Sequence, residues 1–330
     1  MDLINLFTTP LDFPTAGIKV HFWIPPLVAM TISFFTSMGG ISGAFLLLPF
    51  QMSFLGYTHP SVSSTNQLFN IVAIPSGVYR YIREGRMVWP LTWVVIVGTL
   101  PGVFIGAIVR VAYLPDPRNF KLFAAAVLLY IGGRLVYDML KKKKVPGSDK
   151  ASAEKRFQEI VAAFRKRSEE AKAHGEAPLP AVKVNTFSLS RISYEFYGEH
   201  FEISTLGIFS LSFIVGIVGG VYGIGGGAII APFFVAFFGL PVYTVAGAAL
   251  MGTCITSVAG VAFYQAIAPF YPNMSVAPDW ALGVLFGLGG MCGMYLGARC
   301  QKHVPAKAIK WMLAALIVFL ALRYVAEFFK

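Results

Sequence analysis

The sequence predicts an all-α integral membrane protein built from two inverted repeats, each a glycine-broken helical hairpin followed by three transmembrane helices, with a polar insert between them. Composition, an internal repeat and the distribution of charge predict this fold class. Of the 330 residues, 56% are hydrophobic and 13% are charged, and the mean hydropathy is +0.66. Soluble chains carry about 25% charged residues, so this chain needs a lipid bilayer to cover its apolar surface.

Several apolar stretches are long enough to enter or cross the hydrocarbon core of a bilayer, which takes about 20 residues of helix. Examples are Ile24–Leu55, Leu91–Val109, Phe120–Leu140, Leu206–Leu240 and Ile309–Val325. We therefore expect a multi-pass protein that has the bilayer as its main surroundings.

The two membrane parts of the chain, residues 1–140 and 206–330, share an internal repeat. Identical residues recur at a constant offset of 183 (223 − 40). The pairs are Gly40/Gly223, Ile41/Ile224, Gly43/Gly226, Pro49/Pro232, Phe50/Phe233, Phe54/Phe237, Gly56/Gly239, Gly77/Gly260, Val78/Val261 and Tyr81/Tyr264. Three glycine pairs continue at an offset of 191 (289 − 98): Gly98/Gly289, Gly102/Gly293 and Gly106/Gly297. A run that includes proline and aromatic identities indicates a duplication.

Residues 141–205 interrupt the apolar sequence and are expected to form a cytoplasmic polar linker. The linker begins with four lysines, Lys141–Lys144. Apolar residues then recur at helical spacing and predict an amphipathic helix: Phe157, Ile160, Val161 and Phe164. The alternating segments Val182–Ser190 and Ile192–Phe201 predict a small hairpin with Gly198 near a turn. The insert serves either as a connector between the repeats or as a regulatory or partner-binding unit.

Basic residues collect in the cytoplasmic loops of membrane proteins, and three basic segments therefore predict the orientation of the chain. They are Arg80/Arg83/Arg86, Lys141–Lys144 and Arg299/Lys302/Lys307/Lys310. The loop from Ala268 to Trp280 has one acid and no base, and is placed outside. The loop that carries Arg110, Arg118 and Lys121 is also placed outside, against its own charge.

This orientation makes the two repeats inverted. The segment Pro60–Arg83 runs inward, whereas its counterpart Val242–Ile267 runs outward. The first segment of each half, Ile24–Leu55 and Leu206–Gly239, must then begin and end on the same side. Each is predicted to divide at its glycines into two helices of about 15 residues, which are too short to cross comfortably. Inverted repeats whose broken helices meet near the midplane are typical of transporters.

The breaks are expected at Gly39-Gly40 and within Gly223–Gly227, and a new helix is expected to start at each. The predicted starts are Ser42-Gly43-Ala44 and Gly225-Gly226-Gly227. A helix start presents free backbone N–H groups and a partial positive charge, and glycine lets an oxyanion approach the backbone closely. The two starts therefore predict an anion site, although tight helix packing is an alternative reason for the glycines.

Polar residues follow each hairpin inside otherwise apolar sequence. Asn66 and Asn70 are four residues apart on one helix face, and Asn70 aligns with Thr253 at the offset of 183. Neutral donors suit an oxyanion that must bind and then leave, whereas lone Ser and Thr side chains often bond their own helix. The predicted substrate-binding residues are Ser42, Gly43, Thr65, Asn66, Asn70, Gly225, Gly226, Gly227, Thr253 and Thr256.

The acidic residues of the membrane parts bear on ion coupling. Glu84, Asp116, Asp138 and Asp279 all stand at the ends of apolar segments, so the membrane carboxylate that coupled importers commonly use is missing. An anion that leaves a cell with a negative interior gains about 2.3 kcal/mol per charge per 100 mV, which makes export the simplest direction. We expect no metal site, no cofactor and no catalytic residue, since the three cysteines lack ligand spacing.

Two glycine-rich motifs and two later motifs stand out together. They are Gly39-Gly40-Ile41-Ser42-Gly43 with Pro49, Gly223-Ile224-Gly225-Gly226-Gly227 with Pro232, Ser64-Thr65-Asn66, and Pro101-Gly102-Val103-Phe104-Ile105-Gly106-Ala107. In these segments the chain resembles the TauE/SafE sulfite exporter family, and the resemblance covers both membrane parts. It implies export of sulfite, small organosulfonates or related sulfur anions across the bacterial cytoplasmic membrane. The long polar insert departs from the compact form of the family, which leaves its regulation and partners open.

Other function classes stay open beside this one. A passive anion channel shares every feature, and import of a sulfur anion is the reverse direction. A membrane enzyme is disfavoured because no His, Cys, Asp or Glu cluster accompanies the apolar segments. Nucleic-acid binding through the net charge of +11 is disfavoured because basic residues have a topological role here. The expected partners are a small anion and the lipid bilayer, and the oligomeric state stays open.

Overall fold

The computed structural model describes residues 9–39, 42–140, 163–164, 170, 181–240, 242–300 and 306–329. These residues are mostly helical. The helices are α1 (Ile24–Gly39), α2 (Ala44–Ser53), α3 (Ser61–Ala73), α4 (Pro75–Arg83), α5 (Trp89–Ala112), α6 (Pro117–Leu140), α7 (Thr205–Tyr222), α8 (Ile230–Phe238), α9 (Val242–Ile267), α10 (Trp280–Cys300) and α11 (Ala306–Phe328). The strands are β1 (Leu11–Phe13), β2 (Ile18–Val20), β3 (Val182–Phe187), β4 (Arg191–Phe196) and β5 (Glu199–Ser204).

Within the described part of the chain, five helical segments are long and apolar enough to cross a membrane, by length and composition. They are Trp89–Ala112, Thr205–Tyr222, Thr244–Phe270, Trp280–Gly297 and Trp311–Phe328. Large apolar side chains such as Trp93, Val97 and Phe319 are exposed on their outer faces. Contiguous exposed apolar surface of this kind is unfavourable in water and favourable in lipid. The prediction of a multi-pass, mostly helical membrane protein is confirmed.

The two glycine-broken segments divide unequally, which corrects the prediction of pieces of similar length. In the first half, α1 has 16 residues and α2 has 10. In the second half, α7 has 18 residues, enough to qualify as a membrane span, and α8 has 9. The residues Gly40 and Ile41 of the first break lie outside the described part of the chain.

The helix after the first break starts where the sequence predicts, and the helix after the second does not. Gly43 is the N-cap of α2, which begins at Ala44. The predicted start at Gly225-Gly226-Gly227 is wrong, because α8 begins at Ile230. Gly223 and Gly225 both adopt left-handed backbone conformations, with φ of 81° and 74°. These conformations end α7 and prolong the break.

The predicted single helix from Pro60 to Arg83 is divided in the structure. α3 ends at Ala73 and α4 begins at Pro75. Proline has no N–H to donate and its ring crowds the preceding turn, which interrupts the helical ladder. Ile74 between them keeps a helical conformation (φ −82°, ψ −31°). The proline therefore interrupts the helix at one residue, and no loop separates α3 from α4.

The helices of the two halves pack in a reciprocal pattern: α5 lies along α7, and α10 lies along α1. A Cβ atom built at any of six glycines in these contacts would collide with a carbonyl oxygen of the facing helix. The pairs are Gly98 with Phe209, Gly102 with Phe213, Gly106 with Ile217, Gly289 with Pro26, Gly293 with Met30 and Gly297 with Phe34. The glycines differ by 191 and their partners by 183 (209 − 26), so each contact has a counterpart with the halves exchanged. That the repeats are inverted across the bilayer stays a prediction.

α3 lies mainly against helices of the second half, and α3 and α4 together follow an antiparallel register along α9. Gln67 of α3 lies against Gly260, and Gly77 of α4 lies against Leu250, so the residue numbers in each pair add up to 327. α3 also packs against α10 and α2. This position brings every residue from Ser61 to Asn70 into the interior of the protein.

The insert contains a three-stranded antiparallel sheet, one strand more than the predicted hairpin. β4 pairs with both β3 and β5, and Tyr197-Gly198 forms the turn between β4 and β5. Of the predicted amphipathic helix, Phe157, Ile160 and Val161 lie outside the described residues. Phe164 is described, and its ring packs edge-on against Tyr197 at 5.2 Å.

A second short strand pair lies before α1 and was not predicted. β1 pairs with β2 in antiparallel register. Between them, the Ala16 N–H donates to the carboxylate of Asp279, which also accepts from Leu282 N–H at the start of α10. Asp279 thus caps α10 and ties the beginning of the described chain to the second half.

Candidate functional site

The interior of the protein holds a polar stripe on α3, the helix that follows the first glycine break. Its side chains at the following positions are 0% exposed: Ser63, Ser64, Thr65, Asn66, Gln67 and Asn70. Buried polar groups in proteins are almost always hydrogen-bonded. Their partners therefore show which parts of the molecule the stripe joins.

Asn66 links the two glycine-broken segments by hydrogen bonds. Its Nδ2 donates to the carbonyl oxygen of Ala44 at 3.1 Å and to that of Gly223 at 3.0 Å. Its Oδ1 accepts from Gln51 Nε2 at 3.4 Å. One amide therefore joins a backbone carbonyl at the start of α2 to the carbonyl of Gly223 at the end of α7, and a helix end leaves a carbonyl of the second kind without a partner in its own helix.

Asn70 lies one turn further along the same face. It makes one short bond to a backbone carbonyl and two longer contacts with hydroxyl groups. Its Nδ2 donates to Ile224 O at 2.9 Å and approaches Ser257 Oγ at 3.5 Å. Its Oδ1 accepts from Ser42 Oγ at 3.4 Å. Ser42 is half-buried, whereas Asn70 and Ser257 are fully buried. The Asn70 cluster, defined as Ser42, Asn70, Ile224 and Ser257, therefore joins both breaks to α9.

The glycines of the second break pack against α9. The N–H of Gly226 donates to Thr256 Oγ1 at 3.0 Å. A Cβ at Gly225 would meet Ser257 Oγ at 2.7 Å, and one at Gly227 would collide with Ala249 O. Glycine is required at these places because the backbone approaches a neighbouring helix closely.

The hydroxyls of α9 are mostly bonded within their own helix. Thr253 Oγ1 donates to Ala249 O at 2.8 Å, and Thr256 Oγ1 donates to Gly252 O at 2.6 Å. The first turn of α2 is also partly satisfied, because Ala44 N–H donates to Ser42 Oγ at 3.3 Å and Leu46 N–H to Gly43 O at 3.1 Å. Fewer donors are thus free at this helix start than the sequence predicts.

Most of the predicted site residues gather around the second break, and two lie apart from it. Those that gather are Ser42, Asn66, Asn70, Gly225, Gly226, Gly227, Thr253 and Thr256. Gly43 caps α2, and a Cβ there would meet Ser33 Oγ at 2.7 Å and Phe69 Cζ at 3.3 Å. Thr65 instead accepts from Asp279 N–H at 2.9 Å and shares a hydrogen bond of 2.8 Å with Tyr57 OH. Its contacts lie at the start of α10.

Two residues of this interior were missed by sequence reasoning. Gln51 is buried on α2 and donates to Asn66; its isolated polar character in an apolar helix was a usable signal. Arg110 is fully buried near the end of α5 and donates to Ser63 Oγ at 3.3 Å. The sequence gives no comparable signal for Arg110, because a basic residue at a segment end usually reaches the interface.

The charges of the described interior are few. Among the residues whose burial is described, the buried charged side chains are Arg110 and Asp279. Within the same part of the chain, no group of three or more His, Cys, Asp or Glu residues could hold a metal ion. The chemistry of the described interior is therefore that of neutral donors and acceptors with one cation, Arg110, and one carboxylate, Asp279.

A mostly helical chain with five apolar segments of membrane-spanning length, enclosing a polar interior where its two halves meet, is a multi-pass membrane protein. Residues 26–324 match the family model described as Sulfite exporter TauE/SafE. The chain belongs to this family of membrane transporters, as the motif resemblance predicts. No curated protein matches the chain, and no solved structure matches it.

Proposed function

We propose that this protein exports small sulfur-containing oxyanions, of the sulfite and organosulfonate class, across the cytoplasmic membrane. The insert, residues 141–205, would lie on the cytoplasmic side. The substrate would bind at the Asn70 cluster, and the remaining predicted residues Gly43, Thr65, Asn66, Gly225, Gly226, Gly227, Thr253 and Thr256 would shape or support that site. Family membership supports the transport of sulfur anions.

The observation that carries the location of the site is the contrast between Asn66 and Asn70. The Nδ2 atom of Asn66 makes bonds of 3.0 and 3.1 Å to backbone carbonyls. Asn70 makes one such bond, to Ile224 O at 2.9 Å, and its other two contacts are with the hydroxyl groups of Ser42 and Ser257 at 3.4 and 3.5 Å. Asn66 has one long contact, with the Gln51 amide at 3.4 Å, and none with a hydroxyl group among the described residues. Bonds near 3.5 Å are weak, so an oxyanion could replace these hydroxyl contacts and accept from the same donors. Asn66 is then a positioning residue, and Asn70 contacts the substrate.

Neutral donors fit an exporter that must release its substrate. Ser42, Asn70 and Ser257 offer hydrogen bonds without a full charge, which favours binding that is reversible. A membrane potential that is negative inside drives the anion outward with about 2.3 kcal/mol per charge per 100 mV. No carboxylate is needed for that direction.

Uptake into inside-out vesicles tests this function. The purified protein is reconstituted, a potential positive inside the lumen is imposed, and radiolabelled sulfite and a panel of sulfonates are supplied outside. Wild type is expected to accumulate a sulfur anion saturably, and Asn70→Ala to lower uptake about tenfold or more, since it removes a donor worth about 1.4 kcal/mol. Thr92→Val is the matched control, because Thr92 is also buried but bonds only within its own helix, to Val88 O.

The same vesicles separate the two alternatives. A passive channel would show flux that does not saturate and no counter-flow with internal substrate. An importer would instead move the anion out of preloaded vesicles, against the lumen-positive potential, when a gradient of its coupling ion is imposed. Absence of flux for every anion under both polarities would contradict the transport of sulfur anions.

A further inference from the structure

Arg110, in the last turn of α5, is a buried cation without an acidic partner. Its side chain is 0% exposed. Its Nη1 donates to Leu114 O, and its Cζ lies 3.8 Å from the centre of the Phe120 ring. Among the described residues no carboxylate forms an ion pair with Arg110. Asp279, the other buried charged side chain among the described residues, is engaged with two backbone N–H groups. Burying a charge without a counter-ion is costly, so an anion is expected to bind beside it.

Among the described residues, buried polar atoms without a partner are found on Arg110 itself and one helical turn from its contact on α3. The Nη2 atom of Arg110 and both polar atoms of the Gln67 amide are buried, and within the described residues none of them has a hydrogen-bond partner. Arg110 Nε donates to Ser63 Oγ, and Ser63 and Gln67 are one turn apart on the same face of α3. Folded proteins rarely leave such groups unsatisfied. A ligand with several acceptor oxygens would satisfy both donors.

These groups continue the stripe that ends at the Asn70 cluster. Along the antiparallel contact of α3 and α9, Tyr264 lies beside Ser63, Gly260 lies against Gln67 and Ser257 lies against Asn70. A Cβ at Gly260 would collide with Gln67 Oε1, so this glycine leaves room for the amide. Seven residues of helix separate Ser63 from Asn70, which is about 10 Å at a rise of 1.5 Å per residue.

On the basis of the export function proposed above, we propose that Arg110, Gln67 and Ser63 form a second oxyanion subsite. The substrate occupies it between the Asn70 cluster and the membrane surface at which α5 ends, the outer surface in the charge scheme. Separate oxygens of a sulfite or sulfonate group accept from Arg110 Nη2 and from the Gln67 amide. A guanidinium is suited to such multi-oxygen anions, and chloride, a single atom, fits the two donors less well.

Sulfite binding to the purified full-length protein in detergent tests the subsite, read as the rise in melting temperature with sodium sulfite, and with sodium chloride for comparison. Gln67→Leu is the main variant. Because it removes a buried group without a partner, its melting temperature without sulfite is expected to equal or exceed that of wild type. Its apparent sulfite affinity is expected to be about tenfold or more weaker. A merely structural Gln67 would give a lower melting temperature and unchanged affinity.

Arg110→Lys gives a second measurement that keeps the charge but loses the planar guanidinium, and it is expected to weaken sulfite binding as well. Arg118→Gln is the matched control, since Arg118 is exposed in the same loop region. It is expected to leave sulfite affinity unchanged. Because Arg118 donates to Phe328 O, its melting temperature without sulfite is recorded separately.

The outcomes separate the second subsite from the export function. Sulfite affinity equal to wild type in Gln67→Leu and Arg110→Lys, but lost in Asn70→Ala, would overturn the subsite and leave the proposed function standing. Affinity lost in Gln67→Leu and kept in Asn70→Ala would support the subsite and show it to be the stronger of the two. No stabilisation of wild type by sulfite or any sulfonate would contradict the proposed function itself.

Discussion

The helices α3 and α9 occupy equivalent places in the two repeats, yet they use their polar residues differently. Asn70 and its counterpart Thr253 differ by the repeat offset of 183 (253 − 70). Asn70 bonds across to Ile224 in the other half, whereas Thr253 bonds to Ala249 of its own helix. Asn66 likewise reaches Gly223, and its counterpart is the apolar Ala249. The duplicated backbone is therefore shared, while the amide side chains that reach the other half lie on α3 and have no counterpart at the equivalent positions of α9.

This difference follows from side-chain length. A hydroxyl on a helix is near the carbonyl four residues before it and usually bonds there. An amide extends further and has two donors and an acceptor, so it can join backbone groups of separate segments. We infer that the glycine contacts of α5 with α7 and of α10 with α1 maintain the helix packing that the two repeats share. The amides on α3 make the polar interior asymmetric. The predictions below test each part of that contrast, beginning with the largest expected effect.

The glycine contacts should be equally sensitive in both repeats. Gly102→Ala places a methyl group against Phe213 O, and Gly293→Ala places one against Met30 O. Each is expected to lower the free energy of unfolding by about 3 kcal/mol or more, because two helix backbones must separate. Thermal unfolding in detergent measures the loss. Gly133→Ala is the control, since a Cβ there meets no atom within 4 Å. A large loss in only one of the two variants would break the equivalence of this helix packing in the two repeats.

Asn66→Ala should be far more costly than the removal of a hydroxyl from α9. It leaves the buried carbonyls of Ala44 and Gly223 without this donor, at about 1–3 kcal/mol each when no other donor replaces it. The expected loss in the free energy of unfolding is about 2–3 kcal/mol. Thr253→Val, which removes a bond within one helix, is expected to cost less than about 1 kcal/mol. Equal losses in these two variants would contradict the role of Asn66 in linking the two glycine-broken segments.

Asn70→Thr places the residue of the second repeat at the equivalent position of the first. The new hydroxyl is expected to bond the carbonyl of Asn66, four residues before it, and to abandon Ile224 O and Ser42. Saturable sulfite uptake should fall about tenfold, the effect of one lost hydrogen bond near 1.4 kcal/mol. Thr253→Val should change uptake less than about twofold. Uptake reduced equally by both would indicate a symmetric site.

The repeat register could be predicted because identical residues recur at a constant offset, and the same glycines allow the close helix approaches. Gly98, Gly102 and Gly106 recur in the second half, and the structure places both sets against backbone carbonyls. The pairing of Asn66 and Asn70 on one face followed from their spacing alone. Their exact partners did not, since Gly223 and Ile224 are distant in sequence and meet α3 only through tertiary packing.

The misses have physical reasons as well. The start of α8 at Ile230 depends on left-handed conformations at Gly223 and Gly225, which glycine permits but does not require. The interruption at Pro75 had a signal in the proline itself, and the length of the apolar segment outweighed it. The burial of Arg110 depends on Phe120 and Ser63 from other helices. Its position at the end of an apolar segment instead predicts a side chain that reaches the membrane interface.

The smallest predicted effect concerns the charged residues at the end of α4, the helix of the first repeat that corresponds to the end of α9. Arg80 Nε and Arg86 Nη1 donate to the Glu84 carboxylate at 2.8 and 2.9 Å. At the offset of 183, Phe263 and Ile267 stand in place of Arg80 and Glu84. Partial burial raises the pKa of Glu84, but the hydrogen bonds from Arg80 and Arg86 outweigh it and leave the pKa below 4.5.

A group whose pKa is lowered on folding stabilises the protein above its unfolded pKa and loses that contribution as the pH falls through the folded value. Glu84→Gln is therefore expected to lower the free energy of unfolding at pH 7 by about 0.5 kcal/mol or less, since the side chain of Glu84 is only half-buried and its partner Arg80 is exposed, so that water screens the interaction. The difference from wild type should shrink as the pH falls below 4.5. Thermal unfolding across that range, repeated at high salt, measures it. A difference that stays constant with pH would assign the role of Glu84 to packing, and the contrast with the uncharged end of α9 would then have no electrostatic part.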